Sequence, residues 1–393
     1  MSKTQPEADR AGASGADGSW RSLWLSSGAV SIGQLGDSLI YIVLPVNAET
    51  FGVTMAWVGV LLAANRLIRT VAYGFIARLG EVIGLRRLCI LASLTAMAST
   101  AAYGLFEGWP ALLAARGVWG LSYAALILAA LGYAVAGPSR TGTRVGVSRA
   151  IEQVGPLLSL VGGTWLAGVL GVQSVFLALA ALTVIALAFS MMLPEVAARP
   201  AASKGRVALI PKPNLIDLLI FWLGAGVDGV FIMTVTIMLA DSVSIEAAMV
   251  TGGLIMAGRR IVEIVIAPIS GVIADQFGIK RPLLVSSGVL IVGFGLVGVG
   301  HLLAGAMALV LARGALGTLF PAAVAHFSTE AAMQPLARNQ TWRDLGAALG
   351  PLSTGFLLAV TSPESLHLAL AVVYAVTLAC LMRSRWWRTA ADT

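Results

Sequence analysis

At least ten ionisable side chains lie deep inside long apolar runs of this 393-residue chain. In the first half they are Asp37, Arg66, Arg69, Arg116 and Glu152; in the second, Asp228, Arg259, Arg260, Glu263 and Arg313, with Arg343 and Asp344 close behind. A charge at the centre of a bilayer costs roughly 2.5 to 3.5 kcal/mol on the insertion scale, so each of these groups must face protein or water. Arginine stays protonated and offers a planar fork that matches a carboxylate or a phosphate. Six of the ten are arginines against four acids, and all four lysines, at positions 3, 204, 212 and 280, lie outside the apolar runs. That surplus of positive charge favours an organic anion or zwitterion as the bound species. Arg66, Arg69, Arg116, Arg260, Glu263 and Arg313 are its binding candidates, with Tyr41 and Tyr123 placed to stack on it. The plainer alternative is that each arginine answers an acid or caps backbone carbonyls. Aromatic residues in such runs usually serve packing, which competes for both tyrosines as it does for Trp119 and Phe320.

Moving a proton calls for a carboxyl that is neutral in one state and ionised in another. Asp37 is the first candidate, followed by Glu152 and Asp228, while Glu263 is better suited to pairing with Arg259 or Arg260. The sequence holds no Gly-x-x-x-x-Gly-Lys-Ser/Thr loop for nucleotide phosphates and no His-x-x-x-His or His-Glu-x-x-His ligand set. An ATP-driven pump and an intramembrane metalloprotease are therefore set aside, and neither enzyme chemistry, cofactor nor metal is expected. An ion gradient is the energy source that remains.

The elements that must hold these charges follow from composition. With 58% hydrophobic residues, 11% charged residues and a mean hydropathy of +0.88, the chain cannot be covered by a polar skin in water. It reads as an all-α integral membrane protein. Apolar runs of about 18 to 25 residues give twelve spans, at 22–46, 54–77, 88–106, 109–136, 147–170, 173–193, 215–240, 247–274, 283–302, 305–327, 341–361 and 365–383. The expected domains are an N-terminal tail (1–21), a six-helix bundle (22–193), a linker (194–214), a second six-helix bundle (215–383) and a C-terminal tail (384–393). Spans 3 and 6 carry no Asp, Glu, Lys, Arg or His, span 9 only His301 at its end and span 12 only His367 and Arg383 near its ends, so these four should face lipid while the other eight surround a hydrated cavity.

The two bundles repeat one another. Glu81-Val-Ile-Gly84-Leu-Arg86-Arg87 recurs 194 residues later as Asp275-Gln-Phe-Gly278-Ile-Lys280-Arg281. Asp37 matches Asp228, Arg66 matches Arg260 and Arg116 matches Arg313, whereas Arg69 corresponds to Glu263, a reversal of sign. Repeated halves with a site at their interface are the layout of a secondary transporter.

Basic residues mark the inner side of a membrane. Arg78, Arg86, Arg87, Arg140, Arg144, the linker's Arg199, Lys204, Arg206 and Lys212, then Lys280, Arg281 and Arg338 fall between alternate spans, and Arg149, at the very start of span 5, is read with the loop before it. The intervening loops contain no Lys or Arg, so both termini are placed in the cytoplasm. The net charge of +7 is thus mostly topology, strung along loops, and no nucleic-acid partner is expected. The polar first twenty residues show no cleavable signal, and Cys89 and Cys380 both lie in apolar spans, where a lone thiol acts as a small hydrophobe.

These motifs resemble the major facilitator superfamily over nearly the whole chain. Its loop signature after helix 2 and helix 8, Gly-x-x-x-Asp-x-x-Gly with basic residues following, is complete at Gly271, Asp275, Gly278, Lys280 and Arg281; the first copy has Ala77 and Glu81 instead. In the family this loop latches the two halves on the cytoplasmic side, which implies a gating role for Glu81, Arg86, Arg87, Asp275, Gly278, Lys280 and Arg281. Arg116 to Gly120 is similar to the family's helix 4 motif, whose arginine is linked to proton coupling. Gly155-Pro156 with Gly162-Gly163, and Gly350-Pro351 with Gly346 and Gly355, are similar to the Gly-Pro motif of antiporters, although the later glycines of the first copy fall late. The resemblance implies a monomeric proton-linked exporter in a cell inner membrane, moving a small molecule such as a carboxylate metabolite or siderophore. A multidrug antiporter for lipophilic cations, an anion importer and a non-transporting receptor remain as alternatives.

Overall fold

The computed structural model describes residues 19–137, 139–195, 208–240, 244–328, 333–384 and 387. Most of the N-terminal tail, the linker with Arg199, Lys204 and Arg206, and nearly all of the C-terminal tail therefore lie outside the described residues. Twelve long helical segments follow one another: α1 (Trp20–Val46), α2 (Met55–Ile83), α3 (Leu85–Leu105), α4 (Trp109–Val135), α5 (Thr141–Leu170), α6 (Val172–Met191), α7 (Leu215–Ala240), α8 (Ile245–Phe277), α9 (Lys280–Gly298), α10 (Leu302–Phe327), α11 (Met333–Leu357) and α12 (Pro363–Arg383). Ten are long and apolar enough to cross a membrane; α8 and α11, which carry Arg259, Arg260 and Glu263 and then Arg338, Arg343 and Asp344, are the other two.

Several helices outrun their apolar runs. α5 starts at Thr141 and α11 at Met333, while α2 reaches Ile83 and α8 reaches Phe277. Arg78, Arg86, Arg87, Arg144, Arg149, Lys280, Arg281 and Arg338 are consequently helical, and the reading of them as loop residues is corrected. The cause is physical: a helix satisfies its own backbone and can continue past the hydrocarbon layer, whereas hydropathy detects only the part that lipid touches. Arg144 is buried, donating from Nε to the Ala134 carbonyl at 2.8 Å.

Both halves pack alike. α1 lies on α5 and α7 on α11, α2 on α4 and α8 on α10, and α3 on α6 and α9 on α12. Small residues permit the closest of these approaches. A Cβ on Gly155 would stand 1.8 Å from the Ser31 carbonyl oxygen, so only glycine lets α5 meet α1 there. Three helices depart from regularity where the cavity lies. α1 is interrupted at Gln34, which places Asp37 in the first turn of its second segment; α5 contains a π-helical stretch at Ser159–Gly163 and α7 another at Gly226–Phe231, around Asp228. Such π-bulges concentrate at functional positions.

Between the halves, α5 packs on α8 and α10, α2 on α11, and α4 more lightly on α10 and α11. Among the described residues, the far segments Thr164–Leu170 of α5 and Ile232–Ala240 of α7 have their substantial contacts within their own halves. The halves are thus closed on the face bearing the basic loops and part on the other.

Candidate functional site

A cavity of about 410 Å³ lies between the halves, within the range of small-molecule sites. Its walls come from α1, α2, α4, α5, α7, α8, α10 and α11, with nothing from α3, α6, α9 or α12. Seven arginines line it against four carboxylates, an excess of three positive charges.

In the first half, Asp37 Oδ1 accepts from Arg116 Nη1 and, at 3.3 Å, from Asn65 Nδ2. Arg116 is only 1% exposed and also donates to the Leu61 carbonyl at 2.9 Å, so it stands behind Asp37 as its counter-ion and not on the cavity wall. That placement corrects the expectation that Arg116 meets substrate directly. The Tyr41 ring covers its guanidinium, with the centroid 5.0 Å from Cζ.

The pseudo-equivalent acid of the second half is held harder. Asp228 accepts from Arg259 Nη1 at 2.8 Å and from Arg313 Nε at 3.2 Å, with Arg313 Nη2 at 3.1 Å. Glu263 stands 3.6 Å from Arg259 and 3.8 Å from Arg313, ion pairs too long for hydrogen bonds. The four groups form one neutral cluster from three helices. Arg260 makes no ion pair within 4.0 Å of it among the described residues.

A third cluster joins α2 to α11. Asp344 accepts from Arg69 Nε at 2.7 Å, Arg343 Nη2 at 2.8 Å and the Tyr73 hydroxyl at 2.9 Å. The Tyr123 ring lies 4.5 Å from the Arg69 Cζ. Two arginines on one carboxylate leave this cluster with one positive charge. Glu152 is buried off the cavity and answered by Arg149 Nη1 and Ser148 Oγ, each at 3.0 Å. Arg149 itself lines the cavity, a position that reading it as a loop residue concealed.

Two cavity arginines, Arg66 and Arg260, have no carboxylate within 4.0 Å among the described residues. Arg66 Nη1 donates to the Ala347 carbonyl at 3.0 Å, and Arg260 Nη1 donates to Gln153 Oε1. Each thus reaches into the opposite half and finds a neutral acceptor. Gln153, Asn65 and Gln34 were not anticipated, although each is an amide inside an apolar run, a weak signal that charge counting overlooks. Trp119 and Phe320 are fully buried, as packing residues would be.

The gating candidates separate into two groups. Asp275, at the end of α8, accepts from the backbone N–H groups of Gly142 at 2.8 Å and Thr143 at 2.7 Å, and from the Thr143 hydroxyl at 2.6 Å, so its carboxylate caps α5 across the halves. Gly278, at φ +77°, makes the turn that follows. Lys280 is drawn elsewhere, donating to the Trp387 carbonyl at 2.6 Å, and Arg281 is exposed. In the first copy, Arg86 binds the Met191 carbonyl at 2.8 Å within its own half, Arg87 is exposed, and Glu81 has no hydrogen bond across the halves among the described residues. Gly155, beside Pro156, packs α5 on α1, and Gly350 and Pro351 pack α11 on α7, where a Cβ added to Gly229 would stand 2.6 Å from the Gly350 Cα. Those contacts are internal to each half.

The sequence profile of the Major Facilitator Superfamily matches residues 26–258. The chain belongs to that superfamily. Its members are membrane transporters and not enzymes, so this major facilitator protein is a multi-pass secondary transporter of small molecules. Among solved structures it superposes on the human organic anion transporter MFSD10 with a TM-score of 0.73 at 14% identity, covering 92% of this chain and 99% of that one. The E. coli fucose:proton symporter FucP gives 0.73 at 14% identity, covering 94% and 98%. The proton:xylose symporter XylE gives 0.71 at 14% identity, covering 92% and 94%. A search of curated proteins by sequence returned no match.

Proposed function

We propose that this transporter exports a small organic anion or zwitterion by proton-coupled alternating access, from an inner membrane with both termini and the linker in the cytoplasm. The observation that carries the reading is the excess of arginine in the cavity, above all Arg66 and Arg260, whose side-chain hydrogen bonds among the described residues go to neutral acceptors. A guanidinium in a site of low dielectric gains most from a ligand that brings the missing charge. Lipophilic cations would meet repulsion from the same groups, and an anion importer would use the same site in the opposite direction. Export is favoured by the resemblance of the Gly-Pro motifs to those of antiporters. A proton carrier is favoured by Asp37, which lines the cavity with one buried counter-ion behind it.

Purified protein in proteoliposomes, given an imposed pH gradient, should move labelled organic anions and leave cationic dyes unmoved. Arg66→Ala and Arg260→Ala should each weaken anion transport by about tenfold or more, the scale of a lost charge-assisted hydrogen bond. Dye transport with no anion transport would overturn the substrate class, and normal anion transport by both variants would make the arginines structural.

A further inference from the structure

We infer that the transported anion carries two separated negative groups, one answered by Arg66 of the first half and the other by Arg260 of the second. The inference rests on the proposed anion reading and narrows it to a substrate class, a small dicarboxylate or equivalent dianion.

Of the seven arginines lining the cavity, Arg69 and Arg343 share Asp344, Arg259 and Arg313 share Asp228, and Arg149 has Glu152. Only Arg66 and Arg260 are left without one among the described residues. They occupy equivalent positions of the two repeats, on α2 and α8, so they stand on opposite halves of one chamber. Their present partners are also arranged reciprocally. Arg66 of the first half donates to Ala347 of the second, and Arg260 of the second donates to Gln153 of the first. A neutral oxygen holds a guanidinium more weakly than a carboxylate does. A monoanion neutralises one of the two arginines and leaves the other as it was. A dianion exchanges both neutral partners for charged ones and ties the halves together through itself. In the second half Asp228 is already hydrogen-bonded by Arg259 and Arg313, and Glu263 is paired within 4.0 Å with those same two arginines, so among the described residues neither carboxylate is bonded to Arg260.

The test uses full-length protein in nanodiscs and two series of probes, the straight-chain α,ω-dicarboxylates from four to seven carbons and the monocarboxylates of equal length. Binding is read by intrinsic tryptophan fluorescence and by thermal shift. At one length the dicarboxylate should bind at least about tenfold tighter than the monoacid. Arg66→Gln and Arg260→Gln should each bring that dicarboxylate down to the monoacid's affinity. Gln153→Ala should tighten dicarboxylate binding, because Arg260 then loses the neutral partner that substrate must displace; a change in folding would not give that sign. Equal affinities for mono- and dicarboxylates at every length would overturn the dianion and leave the anion reading intact, as would an equal loss of both series in the Arg66 and Arg260 variants. Weaker dicarboxylate binding in the Gln153 variant would also overturn it, because the amide would then be a substrate ligand in its own right. Failure of both series, with cationic dyes binding, would overturn the anion reading itself.

Discussion

The two halves carry the same acid in the same place and treat it differently. Asp37 faces the cavity with one arginine behind it and a neutral amide beside it, whereas Asp228 is clamped by Arg259 and Arg313, with Glu263 completing the cluster. The loop motifs diverge as well, since Asp275 caps α5 across the halves while Glu81 reaches no partner there among the described residues. Equivalent positions of the repeat thus have unequal electrostatic surroundings. The first half presents to the cavity a carboxylate with a single counter-ion. The second is suited to hold its charges fixed and to latch the closed face.

The largest effect should come from Asp37→Asn, which keeps size and hydrogen bonding but cannot release a proton. Accumulation driven by a pH gradient should fail completely in proteoliposomes, while exchange of labelled for unlabelled substrate continues. Full pH-driven accumulation by this variant would move the proton to another group, and Glu152, buried with Arg149, would be tested next. Asp228→Asn should behave otherwise. It leaves Arg259 and Arg313 with Glu263 alone, so exchange should be lost together with coupling, and stability should fall by up to about 3 kcal/mol, seen as a lower Tm. If the two asparagine variants show the same profile, the halves are functionally equivalent and the comparison fails.

Most of the fold was readable in the sequence because a membrane span declares itself by length and a cavity-lining helix by the charges it carries. The assignment of eight helices to the cavity and four to its outside followed from Asp37, Arg66, Arg313 and their kind, and the cavity walls come from those eight. The partners were far less legible. Asp37 and Arg116 are 79 residues apart, and Arg66 meets a backbone carbonyl 281 residues away, contacts that depend on how helices cross and that leave no periodic trace. Gln153 carries no charge, so a reading built on charge had no reason to select it. Arg149 was hidden by an error of a different kind, since polar residues near the end of an apolar run look like loop even when the helix continues through them.

The smallest effect separates the two copies of the loop motif. Asp275 accepts three hydrogen bonds at the N-terminus of α5, where its charge also complements the helix dipole. Asp275→Asn keeps one acceptor oxygen but removes the charge and turns an amide N–H₂ toward donors. The loss should be about 1 to 2 kcal/mol of closure, or a five- to thirty-fold shift toward opening of the basic face. Spin labels at Arg87 and His326, both exposed and on opposite halves, in a background lacking Cys89 and Cys380, would report it as a longer distance population. Glu81→Gln should leave that distribution unchanged, because among the described residues Glu81 holds no hydrogen bond across the halves. Equal shifts in the two variants would mean that both copies latch the closed face. A shift with Glu81→Gln alone would give the latch to the first half, the reverse of the asymmetry read here.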